Sequence, residues 1–576
     1  MFVKHVKRFF IMMLAIGFSV LGSSCSNPLG FPDQGAVQRL PAIEQRSKRV
    51  FTDPHGPKAG DQPEGILRGF FDAMPAGIQS DGFHVARDFL TRKAASTWNG
   101  EALSLVIQGE PTFIKKTSDM KFSDGGQEEC DIKVQIHVKG EVDNRGQYSS
   151  VSNGSIQSLD FLLINEKGQW RIEHAPDVVV VSDSDFDQVF RQVTLYRADS
   201  FSHILIPDVR WFAWRDWRSL AVKELLVGKV DWLGDSLANL NERELKLEVN
   251  AVFEENDKTH IVLNDAFSQL THENRAMLVH EMRMTLGDGD TNYDMVVTAA
   301  SQQDYSREDA DLSVQNTYAS SPMYSLSAGN IVSLNSSAPL RVGRVEGSED
   351  ARGFVFGALG GAVLNSDSRV TCLKSNGASC GAMFDGNLIE TIAGGIKNEI
   401  WALGVDGRSV LMQEGNGSVQ RFTLPWLGDA TISAIAVSPD GSRLAISVQS
   451  GPMAGVVMSG IARNQAQVPV HLSDNVAHIS SRSRISMLTF YNDTTLIYVI
   501  GGSSQEDAQG FQQIGPGPEH AQRLPRAQIK SIASGQISNG LRLVALDTQG
   551  VVHSISGALD GSWVIADTQV TVISQR

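Results

Sequence analysis

Few stretches of this 576-residue chain have the residue types and spacing that catalysis needs. Gly377-Ala378-Ser379-Cys380-Gly381 fits the five-residue nucleophile-elbow pattern, in which a tight turn presents a serine. That pattern works only between a strand and a helix. No helical period follows Ser379, and Asp385-Gly386-Asn387 is another turn, so a hydrolase built on Ser379 is the weakest reading. His280-Glu281 sits in a helical pattern, yet Met284 stands where a zinc protease needs its second histidine. Asp288-Gly289-Asp290 lacks the bidentate glutamate that completes a calcium loop, and reads as a helix-to-strand turn. No glycine-rich loop carries the Lys-Ser or Lys-Thr that cradles phosphate. These patterns predict a chain without catalytic residues, metal or cofactor.

The chemistry that does stand out is at Leu21-Gly22-Ser23-Ser24-Cys25. Lys4, Lys7 and Arg8 precede an uncharged run from Phe9 to Leu21. That run is shorter than the about 20 apolar residues that span a bilayer. A basic start, an apolar middle and small residues before a cut site make an export signal. With cysteine next, it resembles a bacterial lipoprotein signal, although Gly22 stands where such signals usually carry leucine. The resemblance implies that the Cys25 thiol is alkylated by a diacylglyceryl group and that cleavage leaves it first in the mature chain. One acyl chain anchors only marginally, so two or more are expected to hold the protein at the extracytoplasmic face of the cell membrane.

The chain carries a formal charge of −15, and loss of residues 1–24 removes three cations and no acid, leaving −18. Such a surface repels nucleic acid, whose binding depends on basic patches. Cys130, alone beside a strand-like run, reads as a small buried hydrophobe. Cys372 and Cys380, eight apart in an exported region, are free to pair or to stay reduced.

Residues 25–62 read as a lipidated cysteine and a Pro- and Gly-rich linker, able to reach on the order of 120 Å if drawn out. Residues 63–185 read as an α+β domain. Ile66, Leu67, Phe70, Phe71 and Met74 line a helix ended by Pro75 and Gly77, and Asp81 starts a second helix. Ile132, Val134, Ile136 and Val138 alternate with polar residues in a half-buried strand, and Lys167-Gly168 turns a hairpin. Residues 193–305 read as a second α+β domain. Trp211, Trp214 and Trp217 with Ala221 and Leu225 suggest one helical face, as core packing or as a carbohydrate platform. Leu245 to Phe253 alternates as a strand, Leu278 to Leu286 is helical, and Tyr293 to Ala299 is a final strand.

From 313 to 576 helical period gives way to short β runs around turns such as Pro439-Asp440-Gly441, Asp406-Gly407, Asn492-Asp493 and Gln549-Gly550. Their spacing favours a β-propeller of five or six blades over a pair of sandwiches. Ser503 to Pro525 reads as a long loop within it. The fold class is therefore multi-domain: two α+β domains followed by an all-β propeller.

Three stretches in this order resemble the actinobacterial LpqB lipoprotein family: Val37-Gln38-Arg39-Leu40; Ile66 to Met74 with Ala86 to Thr91 and Trp98; and Ile206-Pro207-Asp208-Val209-Arg210 with Ala221 to Gly228 and Trp232-Leu233. The last resembles the GerMN-type module. The resemblance implies an accessory protein of a two-component system. Its expected partner is the external domain of an MtrB-type sensor histidine kinase, in control of cell-envelope growth and division. The alternative is a cell-wall ligand binder. No catalytic residue is carried over.

Overall fold

The computed structural model describes residues 54–575, apart from short internal stretches of which 309–321 is the longest. The signal, Cys25 and most of the linker lie outside the described residues. No described helix is long and apolar enough to cross a membrane.

The first region opens with the helix Pro63–Ala76. Pro63 pre-sets φ where no N–H partner is needed, and Glu64 lies in the positive first turn. Ile66, Leu67, Phe70 and Met74 are buried against a six-stranded sheet. Pro75 does not end this helix. It sits one residue from the end and forfeits a single N–H bond, and the chain continues as a wider turn over Gly77–Asp81 before Gly82 breaks it at φ +62°. Asp81 then accepts from the N–H groups of Phe83 and Val85 at 2.8 and 3.0 Å, starting the short helix His84–Asp88.

The sheet runs Gln169–His174, Tyr148–Glu166, Glu128–Asp143, Leu103–Ile107, Val179–Ser182, with Thr112–Phe122 pairing Glu128–Asp143. Cys130, Ile132, Val134, Ile136 and Val138 share its buried face. Cys130 is fully enclosed and lies outside the disulfide. Lys167 and Gly168, both at positive φ, make the hairpin turn.

The middle region begins with an antiparallel hairpin, Phe190–Ala198 and Leu205–Ala213. The helices Trp217–Val227 and His272–Leu286 follow, with a three-stranded sheet of Phe253–Glu255, Lys258–Leu263 and Met295–Ala299. Two expectations fail here. Trp211 lies within a strand, Trp214 lies in a turn and Trp217 starts a helix, so these three form no helical stripe. Trp211 and Trp217 are buried, and the Arg191 guanidinium covers the rings of Trp214 and Trp217 at 4.8 and 4.3 Å. The alternation from Leu245 yields only a bridge from Leu247 to Leu263 and the short strand Phe253–Glu255, with residues 249–251 outside the description.

Among the described residues the rest forms six antiparallel blades. Their inner strands are Gly353–Gly357, Ile389–Gly394, Thr431–Val437, Ile485–Phe490, Ile529–Ile537 and Val572–Ile573, each beside the next around a closed ring. The last closes the ring. It supplies the inner strand of the blade whose other strands, Tyr324–Ser327, Asn330–Ser333 and Leu340–Arg344, begin the propeller. Radial repetition leaves each blade only a short inner edge, protected within the ring. The segment read as a loop from Ser503 contains two blade strands, Gln509–Ile514 and Glu519–Gln522. Outer strands face solvent, so they lack the apolar pattern of an inner strand.

Candidate functional site

The three regions meet on one strand. In Leu205–Ala213 every residue but the last is buried. Leu205 and Phe212 join the core of the middle region. Val209 and Trp211 join that of the first region. Ile206 packs with Ala436, Met458, Tyr498 and Phe511 of the propeller.

A strand buried on both faces is normally apolar throughout. This one carries Asp208 and Arg210, two apart and therefore on one face. Arg210 donates from Nε to both Asp208 oxygens at 3.0 Å and from Nη2 at 2.9 Å. Arg197, on the paired strand, reaches Asp208 at 3.3 Å and donates to the carbonyls of Glu224 and Gly228, each at 3.0 Å. Arg145, from the first region, grips the Glu224 carboxylate at 2.6 and 3.1 Å. Burial alone would lower the pKa of Arg210, but Asp208, joined by Glu224 and Asp143, outweighs it and holds the guanidinium above its ordinary value. The hydrogen-bonded carboxylate of Glu224 likewise holds Arg145 above its ordinary value.

The docking turn of the first region is Asp143 to Gln147. Gly146 has φ +73°, and a Cβ there would lie 2.5 Å from Phe212 Cε1, so only glycine lets this turn lie on the strand. Its carbonyl accepts from the N–H of Trp211 at 2.8 Å.

The propeller docks on the same strand. Arg443 Nη1 donates to the Pro207 carbonyl at 3.2 Å. The indole of Trp211 donates to the Pro516 carbonyl at 2.8 Å. Nearby, the N–H of Gly460 donates to the Trp232 carbonyl at 2.9 Å, and a Cβ at Gly460 would lie 2.4 Å from the Leu233 carbonyl oxygen. The first region also touches the propeller directly, where Ser150 Oγ donates to the Ile479 carbonyl at 2.7 Å.

Ser379 begins the second strand of an outer-blade hairpin, Val370–Leu373 with Ser379–Met383, and its hydroxyl accepts from the N–H of Gly381 at 3.2 Å. No helix follows it, so the elbow geometry is missing. Cys372 and Cys380 are joined by a disulfide across the same hairpin. His280 and Glu281 are buried in the helix His272–Leu286, where Glu281 accepts from the N–H of Ala198 at 2.6 Å. Burial pushes its carboxyl up to about 7, against the pull of the Ala198 N–H and Arg197. Asp288 and Gly289 form a positive-φ turn after that helix. No group of three metal-ligating side chains occurs among the described residues.

The first region has an open cleft of about 870 Å³ beside the helix Pro63–Ala76, lined in part by Arg68, Asp72, Glu110 and Asp185. Burial raises the Asp72 pKa, Glu110 adds to the effect, and Arg68 opposes it.

Sequence reasoning picked out Pro207-Asp208-Val209-Arg210 without assigning it a role. It missed Arg145, Arg197 and Arg443 entirely. The available signal was a charged pair interrupting the apolar run from Ile204 to Phe212.

Comparison with known proteins agrees with this architecture. The model of the LpqB lipoprotein N-terminal domain matches residues 56–187, and that of the LpqB beta-propeller domain matches residues 332–571. The chain is 43% identical to lipoprotein LpqB of Bifidobacterium longum over 567 residues, 98% of either chain. Lipoprotein LpqB of Mycobacterium ulcerans is 21% identical over 570 residues, spanning 88% of this chain and 91% of that one. Among solved structures, virginiamycin B lyase from Staphylococcus aureus matches 38% of this chain and 85% of its own at 12% identity, with a TM-score of 0.27, too slight to bear on fold or activity. With both terminal modules matched and a relative 43% identical along nearly the whole length, the chain belongs to the LpqB lipoprotein family.

Proposed function

We propose that this chain is a lipid-anchored binding protein at the extracytoplasmic face of the cell membrane. It docks on the external domain of an MtrB-type sensor histidine kinase and tunes signalling to envelope growth and division. The observation that carries this reading is the shared strand Leu205–Ala213. Three regions fastened to it by buried charges hold their outer surfaces in fixed relation, as a docking protein needs. Membership of the LpqB family supports the lipid anchor at Cys25. Tethering raises the effective concentration of the protein near any membrane partner, so modest contacts suffice. The test is co-purification of the detergent-solubilised chain with the kinase's isolated external domain. Saturable capture supports the proposal. Failure of capture, together with binding of muropeptides, would instead favour a cell-wall ligand binder.

A further inference from the structure

Where the propeller meets the shared strand, one guanidinium serves two carboxylates. Counting the blade that closes the ring as the first, blade four has the inner strand Thr431–Val437 and blade five Ile485–Phe490; Asp440 lies in the blade-four turn Pro439-Asp440-Gly441 and is fully enclosed. It forms an ion pair with Arg443 and accepts hydrogen bonds from the hydroxyls of Ser438 and Ser442. The Arg443 charge is therefore committed to Asp440, while its Nη1 holds the Pro207 carbonyl at 3.2 Å. Asp493, in the turn of the next blade, feels the same pair of charges. Its Oδ1 is buried without a hydrogen-bond partner, and so is Arg443 Nε.

Among the described residues, no second cation acts on Asp493. The charged groups acting on it are Asp440 and Arg443, both from blade four. Within its own turn, Asn492 Oδ1 is occupied by the N–H groups of Thr494 and Thr495 at 3.0 and 2.7 Å. The middle region presents the Pro207 carbonyl, and the neighbouring Asp208 is engaged by Arg197 and Arg210. A second anion beside Asp440 is thus poorly compensated in the docked state.

We propose that Asp493 is a proton-operated latch: protonated, it lets blades four and five close on Arg443 and the shared strand; ionised, it loosens that junction. Burial pushes its carboxyl up to about 7, with Asp440 adding to the rise and Arg443 opposing it, so the latch turns over near neutral pH. The sign follows from proton counting. The docked state holds a proton that the opened state, with an ordinary carboxyl, has released above about pH 4. Docking therefore weakens as pH rises from about 4 to about 7, and changes little above that. This inference stands whether or not a kinase is the partner.

The test is hydrogen exchange by mass spectrometry on the intact chain at pH 5.5 and pH 8, corrected for intrinsic rates. Peptides covering residues 205–213 and 438–444 report the junction, and residues 130–138 serve as an internal reference. Junction protection is expected to fall at least about tenfold relative to the reference in the natural chain. In Asp493→Asn, which mimics the protonated acid, combined with Glu281→Gln, which removes the other acid raised to about 7, the pH-dependent fall should largely disappear. Equal junction protection at both pH values in the natural chain would overturn the latch, and that arm needs no variant to fold. A full pH-dependent fall persisting in Asp493→Asn would overturn the assignment to this residue.

Discussion

Arg443 donates to the main-chain carbonyl of Pro207 at 3.2 Å, across 236 residues of sequence. A propeller turn and a middle-region strand, each noticed in the sequence for a different reason, are thereby joined through a buried cation. Removing that cation strands Asp440, which then has only the neighbouring hydroxyls and backbone for partners.

Replacing Arg443 with methionine should therefore destabilise the chain by about 3–5 kcal/mol, the usual consequence of orphaning a buried charge. Urea unfolding followed both by tryptophan fluorescence and by far-ultraviolet dichroism checks this. The natural chain should show coincident loss of both signals in its main transition, and Arg443→Met should separate them. A variant with an unchanged midpoint would show that the contact contributes nothing.

Gly460→Ala probes the same junction through shape. Its Cβ would lie 2.4 Å from the backbone oxygen of Leu233, which cannot swing aside as a side chain could. The expected loss is about 1–3 kcal/mol, seen as a lower denaturation midpoint. A midpoint equal to that of the natural chain would mean that the 230–237 segment yields freely.

Glu281 gives a second pH dependence, on the other side of the shared strand. Its folded-state pKa of about 7 exceeds the ordinary 4.5, so folding favours the protonated form. Its contribution to stability is greatest below about pH 4.5 and declines until about pH 7. Glu281→Gln should flatten the change in urea midpoint across that window. An equally steep slope in the variant would contradict this assignment.

The Cys372–Cys380 disulfide closes a short loop within one blade. Replacing both cysteines with serine should cost about 2–3 kcal/mol and leave the distant shared strand docked. Hydrogen exchange should show lost protection around residues 370–383 and unchanged protection over 205–213. Loss at both places would mean that the propeller is less independent of this hairpin than its position implies.

Much of the fold was legible because the physics was local. The alternation through Ile132, Val134 and Ile136 marks a half-buried strand, and Lys167-Gly168, Asp406-Gly407, Pro439-Asp440-Gly441 and Gln549-Gly550 each mark a hairpin. The misreadings came where the local pattern was ambiguous. Trp211, Trp214 and Trp217 have helical spacing, yet they straddle a strand, a turn and a helix start. The strands around Phe511 belong to the outer part of a blade and carry too few apolar residues to announce themselves. The candidate site was hidden for a further reason. Arg145, Glu224, Asp208 and Arg443 lie far apart in sequence, and only the folded chain shows that one strand gathers them.

Isothermal titration of the kinase's external domain into the intact solubilised chain, and into Arg443→Met, tests both halves of the account. The account predicts saturable binding by the intact chain and clearly weaker binding by the variant, whose regions are no longer held in register. No binding by the intact chain would contradict the proposed partnership, and equal binding by both would contradict the role given to the shared strand.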